Sequence, residues 1–433
     1  MAENASVDRI KNVLHLGSLS NPIVVGNFVR AVFQGRERGY EGFVLDCGSA
    51  NAAFPNVCVP IAGLLDYYKS QNIDFKPTRT PQFLLAAGLF RPVVVGDSSA
   101  VLSQRPLNTI WKYSSAEEVT ALVNVFLSEV SRNAVCETGV IQGLEWCLNE
   151  VMDNVLQHSE AGCGFVMGQI HQTSRHIAFC IFDHGRGIYN TLKNSNHAPR
   201  TALDAITLAI KEGVTRDKEI GQGNGMWGLH NIVRENSGIL GISSGKAIYR
   251  IAHSDTAPQT FENIPFLSHE NYCTTVDFQI DFGRPIALSR SLGGYEPVNL
   301  ALEELEDDAG NIVYPLANRS SGTGTRRSGQ AIRTEILNLS KQANKIVVLD
   351  FGGVGVVSSS FADELVGKLV ADVGFISFTQ RFRLRNMNDF VESITNRAVS
   401  QRLSAPRERG DQLHALASPA VPDSNEDSSS PGQ

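Results

Sequence analysis

Apolar positions recur along the chain in three groups of short runs and helical stripes, separated by charged or glycine-rich stretches. In the first group, Val13–Leu16 and Gly42–Asp46 are apolar enough to predict strands, and residues 24–39 and 59–71 carry apolar side chains at helical spacing. The second opens at 114–118, where a serine precedes two glutamates, an N-cap pattern. The helix it starts carries Val119, Leu122, Val123, Phe126, Leu127 and Val130 on one face. Strand-like runs follow at 164–170, 176–182 and 274–280. The third group predicts a helix over 330–342, a buried strand over 345–351 and a further helix after Ser360. Strands alternating with helices throughout predict an α/β multidomain protein. The expected divisions are an α/β domain over 1–110, a central domain over 114–285, a linker over 286–310, a third domain over 311–404 and a disordered tail over 405–433, rich in Pro, Ser, Asp and Glu.

A chain of 433 residues is long enough for two or three such cores. With 38 basic and 45 acidic residues the net charge is −7, which disfavours a chain built to wrap nucleic acid or coat an anionic membrane. Arg381, Arg383 and Arg385 alternate and predict one face of a strand, read as a solvated edge. The seven cysteines show no CxxC spacing and sit mostly in apolar runs, the pattern of reduced core thiols. No stretch approaches the roughly 20 apolar residues that span a bilayer, and the first residues carry no apolar leader. The expectation is a cytoplasmic protein without a membrane partner.

Candidate chemistry concentrates in the middle group. Glu150 and Asn154 are four residues apart, about 6 Å along one helix face, so both can reach one ligand. An amide oxygen such as that of Asn154 suits Mg²⁺, and Glu150 could polarise a water or a hydroxyl. His158 lies one turn further on and is read equally as a phosphate contact or as a hydrogen-bonded core histidine. The run 177–182 leads into Asp183, His184, Gly185, Arg186 and Gly187, where a strand-end carboxylate can accept a hydrogen bond from an exocyclic amine and the glycines let backbone approach a flat ring. A loop carrying Gly221, Gly223 and Gly225 precedes a helical pattern and exposes N–H groups to phosphate. Each signal is common by itself; their order along the chain is not.

In that order they resemble the N, G1 and G2 boxes of the GHKL ATPases, the fold shared by histidine kinases, gyrase-type topoisomerases and anti-sigma-factor serine kinases. The resemblance covers about residues 116–282 and implies a central Bergerat α/β sandwich binding ATP and Mg²⁺. It further implies that Asn154 binds Mg²⁺, Asp183 the adenine amine, that Gly185 and Gly187 line the base, that Gly221, Gly223 and Gly225 cradle phosphates, and that 213–220 forms a lid. One departure is the extra residue in Gly225-Met226-Trp227-Gly228-Leu229, which leaves the contacts of Gly228 and Leu229 less defined. The third group, from Ile346 to Phe351 and on to Leu365, resembles the STAS-like fold of anti-sigma-factor antagonists, in which a loop serine can accept phosphate. Ser359 is the best positional match and Ser360 the next, although three serines before a helix also form an ordinary N-cap cluster.

Residues 43–48 align without a gap with 347–352, which suggests that the first segment is STAS-like too. Its positions matching the serines are Phe54, Pro55 and Asn56, so it is expected to dock rather than to accept phosphate. No phosphoacceptor histidine on a dimerisation hairpin and no transducer domain accompany the ATPase pattern. Three functional expectations follow: an ATP-dependent switch coupled to STAS-like or partner docking, with a second copy of the chain admitted as a partner; a protein serine kinase of a partner-switching pathway, with Glu150 as base; and an ATP-binding scaffold without turnover.

Overall fold

The structure, a computed structural model, describes residues 7–214, 225–252, 255–268, 272–295, 300–317, 322–343 and 345–404. The first unit comprises β1 (Val7–Ile10), β2 (Val13–Leu16), α1 (Ile23–Arg36), β3 (Gly42–Asp46), α2 (Pro55–Ser70), β4 (Asp74–Thr78) and α3 (Gln82–Ala87). Its four strands lie in sequence order; β2, β3 and β4 run parallel and β1 hairpins onto β2. The crossovers are the helices α1 and α2, as parallel neighbours require.

The second unit contains β5 (Val93–Val94), α4 (Ser99–Gln104), β6 (Trp111–Tyr113), α5 (Ala116–Asn133), α6 (Val140–His158), β7 (Gly164–His171), β8 (His176–Asp183), α7 (Gly187–Leu192), α8 (Ala202–Ala209), α9 (Gly225–Glu235), β9 (Ile239–Ser244), β10 (Ala247–Ile251), β11 (Gln259–Phe261), β12 (Thr274–Asp281) and α10 (Leu288–Ser291). Eight strands form one sheet in the order β11-β10-β9-β12-β8-β7-β6-β5. At the start of α5, Ser115 Oγ accepts from Glu118 N at 3.3 Å and the Glu118 carboxylate accepts from Ser114 N at 2.6 Å, a reciprocal cap that fixes where the helix begins.

Both boundaries expected for the middle domain move outward. Trp111 and Tyr113 are fully buried and β6 pairs with β7, so the segment from Val93 belongs to this sheet and not to a domain ending at 110. Ile286 and Leu292 are buried in the same core beside α6 and α9, so the chain up to that point is not linker. Apolar side chains placed against a helical layer gain more by burial than a solvated connection would.

This sheet is covered on both faces. On one lie α5, α6 and α9, whose apolar stripes enclose Val166, Phe179 and Ile181. On the other lies α2 of the first unit, over Phe165, Met167, Cys180 and Phe182. The approach is close because Gly63 has no side chain: a Cβ there would collide with the ring of Phe182. Asn56 in the first turn of α2 also donates to Asp277 on β12 at 3.4 Å.

The third unit comprises α11 (Leu300–Glu303), β13 (Ile312–Pro315), α12 (Arg326–Ala343), β14 (Val347–Asp350), α13 (Ser359–Ala362), a π-helical turn Asp363–Gly367, α14 (Lys368–Val373), α15 (Phe375–Arg381), β15 (Phe382–Arg385) and α16 (Asp389–Ser404). Its strands are parallel in the order β13-β14-β15, with β14 central. Arg381 ends a helix instead of lying on the strand; the backbone becomes extended only at Phe382, whose ring stacks on Phe378. Arg383 and Arg385 lie on the edge strand.

The first and third units share more than six aligned residues. Each places a parallel strand between two others, connects them by helices, and ends the central strand in an aspartate that binds the same two groups. Asp46 accepts from Gly48 N at 3.1 Å and from Arg79 after β4; Asp350 accepts from Gly352 N at 2.9 Å and from Arg385 Nη2 at 3.0 Å. The Arg79 guanidinium holds the Asp46 carboxyl well below the ordinary carboxylate range. The next helices start at Pro55 and Ser359, the same offset as the strands, yet they differ in environment. The first turn of α2 is buried against the central sheet, whereas Ser359 is exposed.

The third unit is attached through a polar contact between α12 and the end of α5. Asn338, 1% exposed, accepts from Cys136 N at 2.7 Å and donates to Ala134 O at 2.8 Å and Ser131 O at 3.0 Å, which satisfies backbone groups that a helix end leaves unpaired. Arg132 pairs with Glu335 at 2.6 Å and Lys341 with Glu137 at 2.6 Å.

All seven cysteines are unbonded. Among the described residues no helix is long and apolar enough to cross a membrane. The segment 405–433, expected to be disordered, lies outside the described residues.

Two substitutions test these contacts. Gly63→Leu is expected to lower stability by at least about 1–3 kcal/mol through overpacking against Phe182. Asn338→Ala removes the side-chain partner of Cys136 N, Ala134 O and Ser131 O and is expected to cost about 1–3 kcal/mol. In urea melts it should also split off an earlier transition for the third unit.

Candidate functional site

A cavity of about 560 Å³ opens between α6, the end of β8, α7 and the start of α9. This is within the usual size of a small-ligand site. Helix α6 supplies one wall because its apolar stripe, Leu144, Cys147, Leu148, Val151 and Val155, faces the sheet. The neighbouring positions Trp146, Glu150, Asp153, Asn154 and His158 consequently line the cavity. Glu150 and Asn154 thus share one wall.

Asp183 lines the same cavity. It terminates β8, is 4% exposed, and accepts from Gly185 N at 2.9 Å. Burial pushes its carboxyl up to about 7, only partly countered by that N–H. Thr274, directly across the ladder on β12, lines the cavity beside it and shares a 3.2 Å hydroxyl contact with Ser244. Burial also raises Glu150, with the nearby charge of Asp153 adding to the effect, and burial raises Asp153.

The glycines separate by role. Gly187 and Gly225 line the cavity. Gly225 is the first residue of α9, and a Cβ there would collide with the Glu150 carboxylate, so the base of that helix and the acidic group meet directly. Gly185 does not line the cavity; it allows the turn after β8 to press on Ser159, whose carbonyl accepts from Arg186 N at 2.8 Å. Gly228 instead makes room for the Trp146 indole, with a Cβ position 2.7 Å from Nε1. Leu229 is fully buried in the core. Gly221, Gly223 and most of the expected lid at 213–220 lie outside the described residues; Val214 lines the cavity.

Sequence reasoning missed Trp146, Asp153, Thr274, Trp227 and Tyr295, all lining residues. Trp146 was findable as the position one turn before Glu150. Thr274 was not, since only strand register sets it opposite Asp183. The Trp146 and Tyr295 rings, both lining the cavity, lie 5.6 Å apart.

Ser359 and Ser360 belong to the third unit. Ser358 is the N-cap of α13, accepting from Phe361 N at 3.0 Å, and its hydroxyl lies 3.1 Å from that of Ser360. Ser359 is exposed.

Comparison with known proteins bears on the third unit. Residues 328–392 match the family described as a STAS-like domain of unknown function (DUF4325). The match runs from α12 into α16 and gives the C-terminal unit a STAS-like character. No curated protein matches the chain.

The elevated Asp183 carboxyl has a consequence for stability. Its folded value of about 7 exceeds the ordinary 3.8, so the folded state holds a proton that the unfolded state has released between those values. Its contribution is therefore present at about pH 4 and lost as pH rises to about 7, on the order of a few kcal/mol. Asp183→Asn is expected to lessen the fall over that window, with buried Asp277, also raised to about 7, retaining its share, as read by urea midpoints at pH 4, 5, 6 and 7.

Proposed function

We propose that the central unit binds ATP with Mg²⁺ and that nucleotide occupancy controls how the flanking STAS-like units, or a protein docked on them, engage. The observation that carries the proposal is the convergence on one cavity of a buried carboxylate, a Glu/Asn pair on one helix face and the N-terminus of α9. Asp183 in its ionised form is the acceptor for an exocyclic amine, with the Thr274 hydroxyl beside it. Asn154 offers an amide oxygen, the ligand type a Mg²⁺ ion tolerates while keeping its waters. Gly225, Met226 and Trp227 at the start of α9 line the cavity, and a helix N-terminus is a place that favours phosphate. Two carboxylates, Glu150 and Asp153, stand on the same wall, so a polyanion fits only together with a divalent cation.

A raised pKa suits Glu150 to act as a base near neutrality, because it can accept a proton without being strongly solvated. Its substrate on this reading is a water or a serine hydroxyl. The kinase alternative draws support from the exposure of Ser359 beside two serines that are engaged in the cap. The buried first turn of α2 in the matching position leaves the N-terminal unit, read as a second STAS-like fold, to dock and not to accept phosphate.

Two measurements test the reading. Mg-ATP affinity is expected to rise as pH increases from 6 to 8, since a proton on Asp183 competes with the amine, and to fall at least tenfold (about 1.4 kcal/mol) in Asp183→Asn and Asn154→Ala. Affinity unchanged in both variants would remove nucleotide from the account. With γ-labelled ATP, protein-bound label lost in Ser359→Ala identifies the kinase, free phosphate lost in Glu150→Gln identifies the ATPase switch, and neither product despite binding leaves a scaffold.

A further inference from the structure

The side of the central sheet facing α2 carries a second cluster that the nucleotide reading does not use. Cys163 immediately precedes β7 and His184 immediately follows β8, on neighbouring antiparallel strands. Side chains alternate along a strand, so these two point to the same side as Phe165 and Phe182, toward α2, while Asp183 points to the cavity. Asp66 lies on α2 one turn beyond Gly63, where the helix touches Phe182. The sulfur of Cys163 and Nε2 of His184 are 4.0 Å apart, and one ligand atom from each of the three residues lies within 4.8 Å of the others.

We propose that Asp66, Cys163 and His184 form a binding site for a divalent d-block ion of the zinc class, with an open coordination position, that clips the N-terminal unit to the strand end carrying Asp183. Bonds of about 2.0–2.3 Å to nitrogen, oxygen and sulfur place tetrahedral ligands roughly 3–4 Å apart, so small side-chain rotations close this set. Thiolate, imidazole and carboxylate together select zinc-like ions over Mg²⁺ or Ca²⁺. Three protein ligands leave a position for water or a fourth donor.

The charged groups facing the cluster are few. Lys112 on β6 binds Asp66 Oδ2 at 2.8 Å and lies over the Phe165 ring at 5.6 Å. Without metal, the ammonium neutralises Asp66 and the thiol stays protonated, its pKa raised by burial. Burial likewise lowers the His184 pKa, which keeps the ring available as a neutral ligand. Binding exchanges the thiol proton for the metal: the S–H bond breaks, a sulfur–metal bond forms and one H⁺ enters solvent. No electron is transferred. Lys112 opposes the ion electrostatically, which makes it a sensitive probe of the site.

The test uses the full-length, reduced protein titrated with Co²⁺. The expected result is a near-ultraviolet thiolate-to-cobalt absorption that saturates at one equivalent, is displaced by Zn²⁺ and is unaffected by Mg²⁺. Cys163→Ser should abolish it, Asp66→Ala and His184→Ala should each weaken affinity at least about tenfold, and Lys112→Met should tighten it. The gain expected in Lys112→Met does not depend on a damaged fold. The proposal is overturned by absence of the absorption in the native protein, by its survival in Cys163→Ser, or by Lys112→Met leaving affinity unchanged or weaker.

Discussion

Burial of the central sheet on both faces is the constraint from which the remaining architecture follows. Strands β7 and β8 present Phe165, Met167, Cys180 and Phe182 to one side and Val166, Phe179 and Ile181 to the other. Neither set can face water cheaply, at about 25 cal/mol per Å² of apolar area. Helices α5, α6 and α9 cover one face and α2 covers the other, so the first unit is part of the central core. The closeness of α2 depends on Gly63, and the same approach brings Asp66 to the strand ends.

This arrangement sets the cavity and the Asp66, Cys163 and His184 cluster on opposite sides of one strand end. Asp183 faces the cavity, whereas His184, the next residue, faces α2. The third unit joins differently, through Asn338 and ion pairs at the end of α5, a polar contact with few apolar side chains. The two similar end units are in this sense used unequally: the first offers its helix start to the central sheet, and the third leaves Ser359 exposed.

Much of the local structure was legible because its causes are local. The cap at Ser115, the stripe of α5 and the strand Gly42–Asp46 follow from side-chain pattern alone. Residues 177–182 read as an unbroken apolar run, which is what a strand covered on both faces looks like, although the run itself does not say what covers it. Glu335 and Asn338 on α12 are buried because the end of α5 supplies complementary partners, which the helical pattern of 330–342 does not foretell.

By itself the sequence determined many of the element types, the α/β class, the STAS-like resemblance of the C-terminal segment and the placing of Glu150 and Asn154 on one helix face, since each depends on spacing within a single segment. Only the tertiary structure decided that Asp183, Thr274 and Gly225 meet that face in one cavity, that the boundaries near 110 and 286 shift outward, and that Asp66, Cys163 and His184 come together. Those facts depend on strand register and on helices crossing from other parts of the chain, and no local pattern of side chains encodes them.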